Sequence, residues 1–211
     1  HHKKHPIFTS VNRYHGSINH NYVIFVANPG LELRDKCGQG NMTVVIMKIG
    51  IVISGGDVSG INNFIFQVAK LASAEITIFN GGIPGLLDKN HQEIAWRDLV
   101  DFSICSLPVI TSGRTTRKLL RSEYETIARK IKSLRLDVLI MAGGDGSLQF
   151  LNTLSEFDIN CFGVGMTIDN DVYGSDYTIG FSTACEQIIK EVSRLRNTGR
   201  ALPGRVFMVE I

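Results

Sequence analysis

Cysteine is sparse in this chain. Cys37, Cys105, Cys161 and Cys185 are widely spread and form no CxxC pair. That spacing argues against a disulfide framework and against a zinc site, and it fits a reducing cytoplasm. An excess of one charge is also missing: 22 Lys and Arg against 20 Asp and Glu leave a formal net charge of +2, with no basic stripe. A general nucleic-acid binder is therefore not expected. No apolar run reaches the length of a membrane span, and the start lacks the charged, apolar, small-residue order of a secretory leader. No GxxxxGK[ST] motif occurs, which excludes a P-loop nucleotide enzyme. What remains is a 211-residue chain that is 44% apolar, enough for one sizeable α/β domain with a full core.

Residues 1–44 differ from the rest. They hold five of the 6 histidines (His1, His2, His5, His15 and His20) without helical periodicity, and read as a loose leader rather than a metal site. A regular pattern occupies 45–211. Apolar runs at Val45–Ile53, Glu75–Phe79, Val138–Met141, Cys161–Val164 and Val206–Ile211 are expected to be strands. Ile61, Phe64, Ile65 and Val68 share one helical face. A helix is expected from Ser122 to about Leu134, with Ser122 and Glu125 as a capping box. Another is expected after Ser147, and a third is capped by Thr183 and Glu186 and carries Ile188, Ile189, Val192 and Leu195. Strands alternating with helices predict an α/β fold: a mostly parallel sheet with helices on both faces, three-layered and Rossmann-like. Ligands in such sheets bind at the carboxyl ends of the strands.

Three loops follow predicted strands and should converge there. The first is Ser54-Gly55-Gly56-Asp57, running on to Gly60. Its glycines let backbone approach a phosphate, although a tight strand-to-helix turn needs glycine as well. The second is Gly143-Gly144-Asp145-Gly146-Ser147: a phosphate cradle, a carboxylate suited to magnesium, and a hydroxyl suited to a phosphate hydrogen bond. The third, Thr167-Ile168-Asp169-Asn170-Asp171, places two carboxylates two residues apart. One can take a hydroxyl proton as general base, and the other can hold the loop or address a metal; a solvated Asx turn explains the same residues. Together the loops supply the parts of phosphoryl transfer, with Arg114 and Arg205 as candidate cations.

The combination resembles the 6-phosphofructokinase family. Ser54-Gly55-Gly56-Asp57 with Gly60 and Asn62 is similar to its opening motif. Gly143 to Ser147 is similar to its nucleotide loop, and Thr167 to Asp171 to its catalytic loop. Asp176 to Phe181, Thr183-Ala184, Arg194-Leu195-Arg196 and Arg205 to Glu210 follow in the same order. The resemblance covers about Met47 to Ile211 and implies transfer from ATP, with Mg2+, to the 1-hydroxyl of fructose 6-phosphate. It implies Asp169 as general base, with Thr167 and Asp171 beside it in the catalytic loop. Thr167, Ile168 and Asp169 would line the sugar-phosphate site. Gly55, Arg114, Thr115, Gly144, Asp145, Gly146 and Ser147 would contact the nucleotide, with Asp145 near the metal. Arg205 would hold the substrate phosphate, usually from a neighbouring subunit, so a homo-oligomer, by resemblance a tetramer, is implied at full length.

Departures accompany the resemblance. Gly165-Met166 stand where the family has Pro-Gly or Pro-Lys. Phe66 stands where regulated bacterial members carry an effector-binding arginine. The chain stops before the sugar-binding half, so the 211 residues alone are expected to bind Mg-ATP weakly and to phosphorylate fructose 6-phosphate negligibly. Other readings remain: a pyrophosphate-dependent phosphofructokinase, a non-catalytic nucleotide-binding or regulatory relative, or an NAD or lipid kinase, which shares the Gly-Gly-Asp-Gly loop but not the third.

Overall fold

The computed structural model describes residues 11–13, 23–26, 47–72, 74–88, 90–103, 107–115 and 117–211. Eight strands form one sheet. In chain order they are β1 (Val11–Arg13), β2 (Val23–Val26), β3 (Lys48–Ser54), β4 (Glu75–Phe79), β5 (His91–Ile94), β6 (Val138–Gly143), β7 (Cys161–Thr167) and β8 (Ile179–Gly180). The spatial order is β1-β2-β7-β6-β3-β4-β5, with β8 beside the end of β7. The four central strands run parallel, and β5, β2 and β1 add antiparallel edges. β1 and β2 lie within the stretch expected to be irregular.

The helices are α1 (Ile61–Ala72), α2 (Gly82–Leu87), α3 (Val100–Ser103), α4 (Arg121–Ser133), α5 (Asp145–Ser155) and α6 (Phe181–Ala201). Side-chain alternation along the strands splits the core in two. Ile49, Ile51 and Ile53 of β3 point to one face, where they meet Ile61, Ile65 and Ala69 of α1. Val52, Leu139 and Met141 point to the other and meet Leu86 of α2, Ile127 and Ile131 of α4, and Leu151 and Leu154 of α5. Strands buried on both faces must be apolar at nearly every position, which is why β3 reads as a continuous run rather than an alternating one.

The connections create a gap. β3 leads through α1 to β4 on one side, and β6 leads through α5 to β7 on the other. Right-handed crossovers in opposite directions put their helices on opposite faces, so the chain diverges above the ends of β3 and β6. α2 supports this region from below. Its last carbonyls are capped by Lys130, whose Nζ donates to Gly85 O (3.4 Å), Leu86 O (3.1 Å) and Asp88 O and lies 5.2 Å from the Phe79 ring centroid. Burial lowers the pKa of that ammonium.

Several expected boundaries move. α4 begins at Arg121, so Ser122 lies inside its first turn. The cap comes instead from Glu123, whose carboxylate accepts Leu120 N–H (2.8 Å) while forming a two-pronged pair with Arg117 (2.6 and 2.8 Å). α5 starts at Asp145, ahead of Ser147. α6 starts at Phe181, ahead of Thr183, because Gly180 at φ 105° turns the chain there. The expected strand Val206–Ile211 is not formed; those residues are irregular and exposed. No residue of α6 is buried: Ile189 and Val192 face outward among the described residues. Val45, Ile46, the five N-terminal histidines, Cys37 and Cys105 lie outside the described residues. Cys161 and Cys185 are free thiols, and burial pushes the Cys161 thiol up to about 12.

Glu123 generates a pH prediction. Arg117 and the Leu120 amide hold its carboxyl down at about 2, below the ordinary 4.5. A group depressed in the folded state contributes its full stability above the unfolded value and loses it as pH falls through the folded one. Glu123→Gln should therefore melt below wild type at about pH 6, and the gap should close between pH 4.5 and 2, as followed by thermal unfolding.

Candidate active site

The three strand-end loops line one cleft, and hydrogen bonds tie the first to the second. β3 ends at Ser54, which is paired in register with Gly143 of β6. A Cβ on Gly143 would lie 2.3 Å from Ser54 O and 2.6 Å from Ser147 Oγ, so no side chain fits between the first and second loops. Ser147 is buried and its hydroxyl donates to Ser54 O at 3.2 Å. Its single proton is thereby committed to bracing two loops. The sequence suits that hydroxyl to a phosphate; the structure turns it inward.

A third segment locks onto this pair. Gly55 N donates to Gly113 O (3.1 Å), and Ser112 Oγ donates to Gly55 O (2.9 Å). Residues 107–113 have no regular structure of their own to hold them, and asparagines do so instead. Asn62 of α1 donates to Leu107 O (2.7 Å) and accepts Val109 N (2.9 Å), and Asn80 accepts Thr111 N (2.9 Å). Gly113 crosses so close to Gly81 that a Cβ would sit 2.1 Å from Gly81 O. The result delivers Arg114 and Thr115 to the rim beside Gly55.

α5 opens on the same gap. Gly144 is its N-cap, no side chain caps it, and added Cβ atoms at Gly144 and Gly146 would meet nothing within 4 Å. An uncapped helix start with bare backbone presents N–H donors and the positive end of its dipole to an anion. Asp145 stands half-buried in the first turn. Across the gap, β7 ends at Thr167, and Asp169 lies exposed in the turn beyond it.

These groups line one open cleft of about 1020 Å³. Of the residues singled out from sequence, Gly55, Arg114, Thr115, Gly144, Asp145 and Gly146 line it. Ser147, Thr167, Ile168 and Asp169 line it too. Asp171 and Arg205 do not; both are exposed, Arg205 in the segment after α6. The sequence reading missed Arg117, Lys118 and Tyr124, which line the end nearer α4. Arg117 is neutralised by Glu123. Tyr124 stacks on Phe150, centroids 5.1 Å apart, and desolvation raises its phenol pKa. Thr115 Oγ1 is buried without a hydrogen-bond partner. The spacing of Phe150 and Thr153 from Gly146 on α5 (i+4, i+7) was the available signal for this wall.

Residues 48–211 match the family model described as phosphofructokinase. The chain belongs to the phosphofructokinase family. It is 35% identical over 155 residues to a pyrophosphate–fructose 6-phosphate 1-phosphotransferase of Thermoproteus tenax, covering 72% of this chain and 46% of that protein. It is 35% identical over 176 residues to an ATP-dependent 6-phosphofructokinase of Spiroplasma citri (79% and 52%), and 32% identical over 170 residues to one of Buchnera aphidicola (79% and 53%). The chain thus spans about half the length of the curated relatives it matches. Among solved structures, the phosphofructokinase of Saccharomyces cerevisiae superposes with a TM-score of 0.64 at 26% identity, over 74% of this chain and 24% of that one. No helix among the described residues is long and apolar enough to cross a membrane.

The close approach at Gly143 is testable. Gly143→Ala should destabilise the protein by about 1–3 kcal/mol, the cost of forcing volume into a packed site. Gly144→Ala, where space is open, should change stability by less than about 0.5 kcal/mol. Chemical denaturation of the two variants checks the contrast.

Proposed function

We propose that this chain is the nucleotide-binding half of an ATP-dependent 6-phosphofructokinase, which moves the γ-phosphoryl group of ATP to the 1-hydroxyl of fructose 6-phosphate. The observation that carries the reading is the opposition, across one cleft, of the uncapped α5 start with Asp145 and the turn bearing Asp169. One side suits a polyphosphate, and the other suits a group that gives up a proton.

The donor set fits magnesium. No group of three or more His, Cys, Asp or Glu among the described residues forms an all-protein cage. Magnesium retains waters and is held by one or two carboxylates together with substrate phosphates, and Asp145 at the phosphate cradle is such a carboxylate. Bound there, the ion would neutralise charge on the transferring phosphoryl group.

The protein's own residues do the rest. The amides at Gly144–Gly146 and the guanidinium of Arg114 balance charge on the phosphoryl oxygens. Asp169 takes the proton of the 1-hydroxyl as its oxygen bonds to the γ-phosphorus, and the bond from that phosphorus to the β,γ-bridging oxygen breaks to leave ADP. Thr167 and Ile168 line the acceptor side. Asp171, exposed beyond them, is the second carboxylate of the catalytic loop and would hold that loop or address the metal. Arg205 would hold the sugar phosphate of an adjacent subunit in a homo-oligomer, a tetramer by family.

Pyrophosphate is the competing donor, since the Thermoproteus tenax relative is named for it. The space beyond Gly146 favours ATP. The cleft passes over that glycine and continues along α5 to Tyr124 and Phe150, length that a diphosphate alone does not need. An aspartate side chain at 146 would crowd and repel the α-phosphate of a nucleotide lying there, and Met166, buried, brings no cation to the donor.

Two assays on the full-length protein test the reading. Asp169→Asn should retain nucleotide binding while turnover falls roughly a hundredfold or more, the scale of lost general-base catalysis; turnover near wild type would refute the base. Steady-state kcat/KM should be higher for ATP than for pyrophosphate, and the reverse order would overturn the donor.

A further inference from the structure

Asp169 is exposed and lies beyond the last hydrogen-bonded residues of β7. A base in such a turn has no packing to fix its distance from an acceptor hydroxyl. The turn is nonetheless held, by two residues to which neither the motif reading nor the reaction gives a role.

Thr178 is only 4% exposed, and its hydroxyl donates to Thr167 O at 2.7 Å. The Thr178 N–H donates to Asn170 Oδ1 at 2.9 Å, and Asn170 Nδ2 donates to Asp176 O at 3.2 Å. Both ends of the Asn170 amide are therefore spent on the segment that returns beneath the turn. Asn170 is left-handed, at φ 52°, a conformation that asparagine tolerates better than most residues. Between these anchors, Asp169 N–H donates to Thr167 Oγ1 at 3.2 Å. Asp169 is thus flanked by Thr167, tied at its carbonyl, and by Asn170, tied at its side chain, and both ties end on Thr178.

Thr178 is itself immobilised. Its methyl lies against Gly165, where a Cβ would come within 3.1 Å of it. The next residues, Ile179 and Gly180, pair with Met166 and Thr167 as β8. Gly180 approaches the first loop so closely that a Cβ would lie 2.7 Å from that of Val58. A continuous strap therefore runs from the Asp169 turn through Thr178 to the loop that carries Gly55 and Gly56.

We propose that Thr178 and Asn170 are positioning residues. They hold the Thr167–Asn170 turn so that the Asp169 carboxylate faces the cleft at a fixed distance from the acceptor, and they act on the rate only through Asp169. The inference rests on the reading of Asp169 as the base. Misplacement of a reacting group by about 1 Å costs roughly a hundredfold in rate, so loosening this turn should act on kcat and spare nucleotide binding.

A mutant cycle on the full-length protein tests it, with Mg-ATP and fructose 6-phosphate as substrates. Thr178→Val keeps the shape and removes the proton donated to Thr167 O. It should lower kcat about tenfold or more, leave the ATP dissociation constant unchanged, and be rescued by Thr178→Ser to within about threefold. In an Asp169→Asn background the same change should cost less than about twofold, because the group it positions is gone. Equal losses in both backgrounds would mean a general structural role and overturn the inference. A slow Asp169→Asn beside a Thr178→Val at the wild-type rate would overturn it while leaving the base reading intact. An Asp169→Asn as fast as wild type would overturn the base reading and this inference with it. Should Thr178→Val fail to fold, Asn170→Gly, which keeps the left-handed backbone and removes the amide, carries the same comparison.

Discussion

The Ser147 hydroxyl reaches Ser54 O across the one place in the central sheet where neighbouring parallel strands send their helices to opposite faces. Divergence opens the cleft, and this contact ties its first and second loops together. Backbone must come close there, which demands no Cβ at Gly143; at Gly144 and Gly146 the space is open, and bare backbone keeps their N–H groups reachable. The Gly-Gly-Asp-Gly-Ser run satisfies both needs with adjacent residues. Its glycines have different surroundings: a side chain has no room at Gly143, while Gly144 and Gly146 stand in open space.

A division of labour follows. Apolar burial fixes the strands and the helices packed on them: Ile51 and Leu139 in the sheet and Ile65 in α1 are fully buried, and each side chain of that size contributes about 1.5–3 kcal/mol. The loops at the strand ends have little apolar surface and are fixed by polar contacts of high geometric demand. Asn62, Asn80 and Asn170 each bond backbone of a segment that lacks a ladder, satisfying groups that would otherwise be orphaned. The loops around the α5 start are thus tied to one another while the cleft between them stays open.

The sheet was legible because strands buried on both faces leave long apolar runs; β4 at Glu75–Phe79 was readable to the residue. The first two loops were legible because glycine beside aspartate at a strand end has few purposes, the third because it sets two aspartates two residues apart, and ten expected residues share one cleft. Less was visible wherever a partner distant in sequence decides. The Ser122–Glu125 pattern suited a capping box, but Arg117 recruits Glu123 and moves the cap. Ser147 lines the cleft as expected, but nothing in the sequence reveals that its hydroxyl also bonds Ser54 O. Val206–Ile211 has strand composition but pairs with no neighbour among the described residues, and α6 shows an apolar face that no described residue covers. Composition reports what a segment would bury, and only the fold reports whether something is there to bury it.

Two strand-end loops and the segment carrying Arg114 would build a single donor site around the start of α5. A crystal structure of the full-length protein with Mg2+ and a non-hydrolysable ATP analogue tests it most directly. The account predicts the triphosphate over the Gly144–Gly146 amides, Asp145 beside the metal, Arg114 on the phosphates and the nucleoside running past Gly146 toward Tyr124. A nucleotide seated elsewhere, with the α5 start facing only solvent, would contradict it.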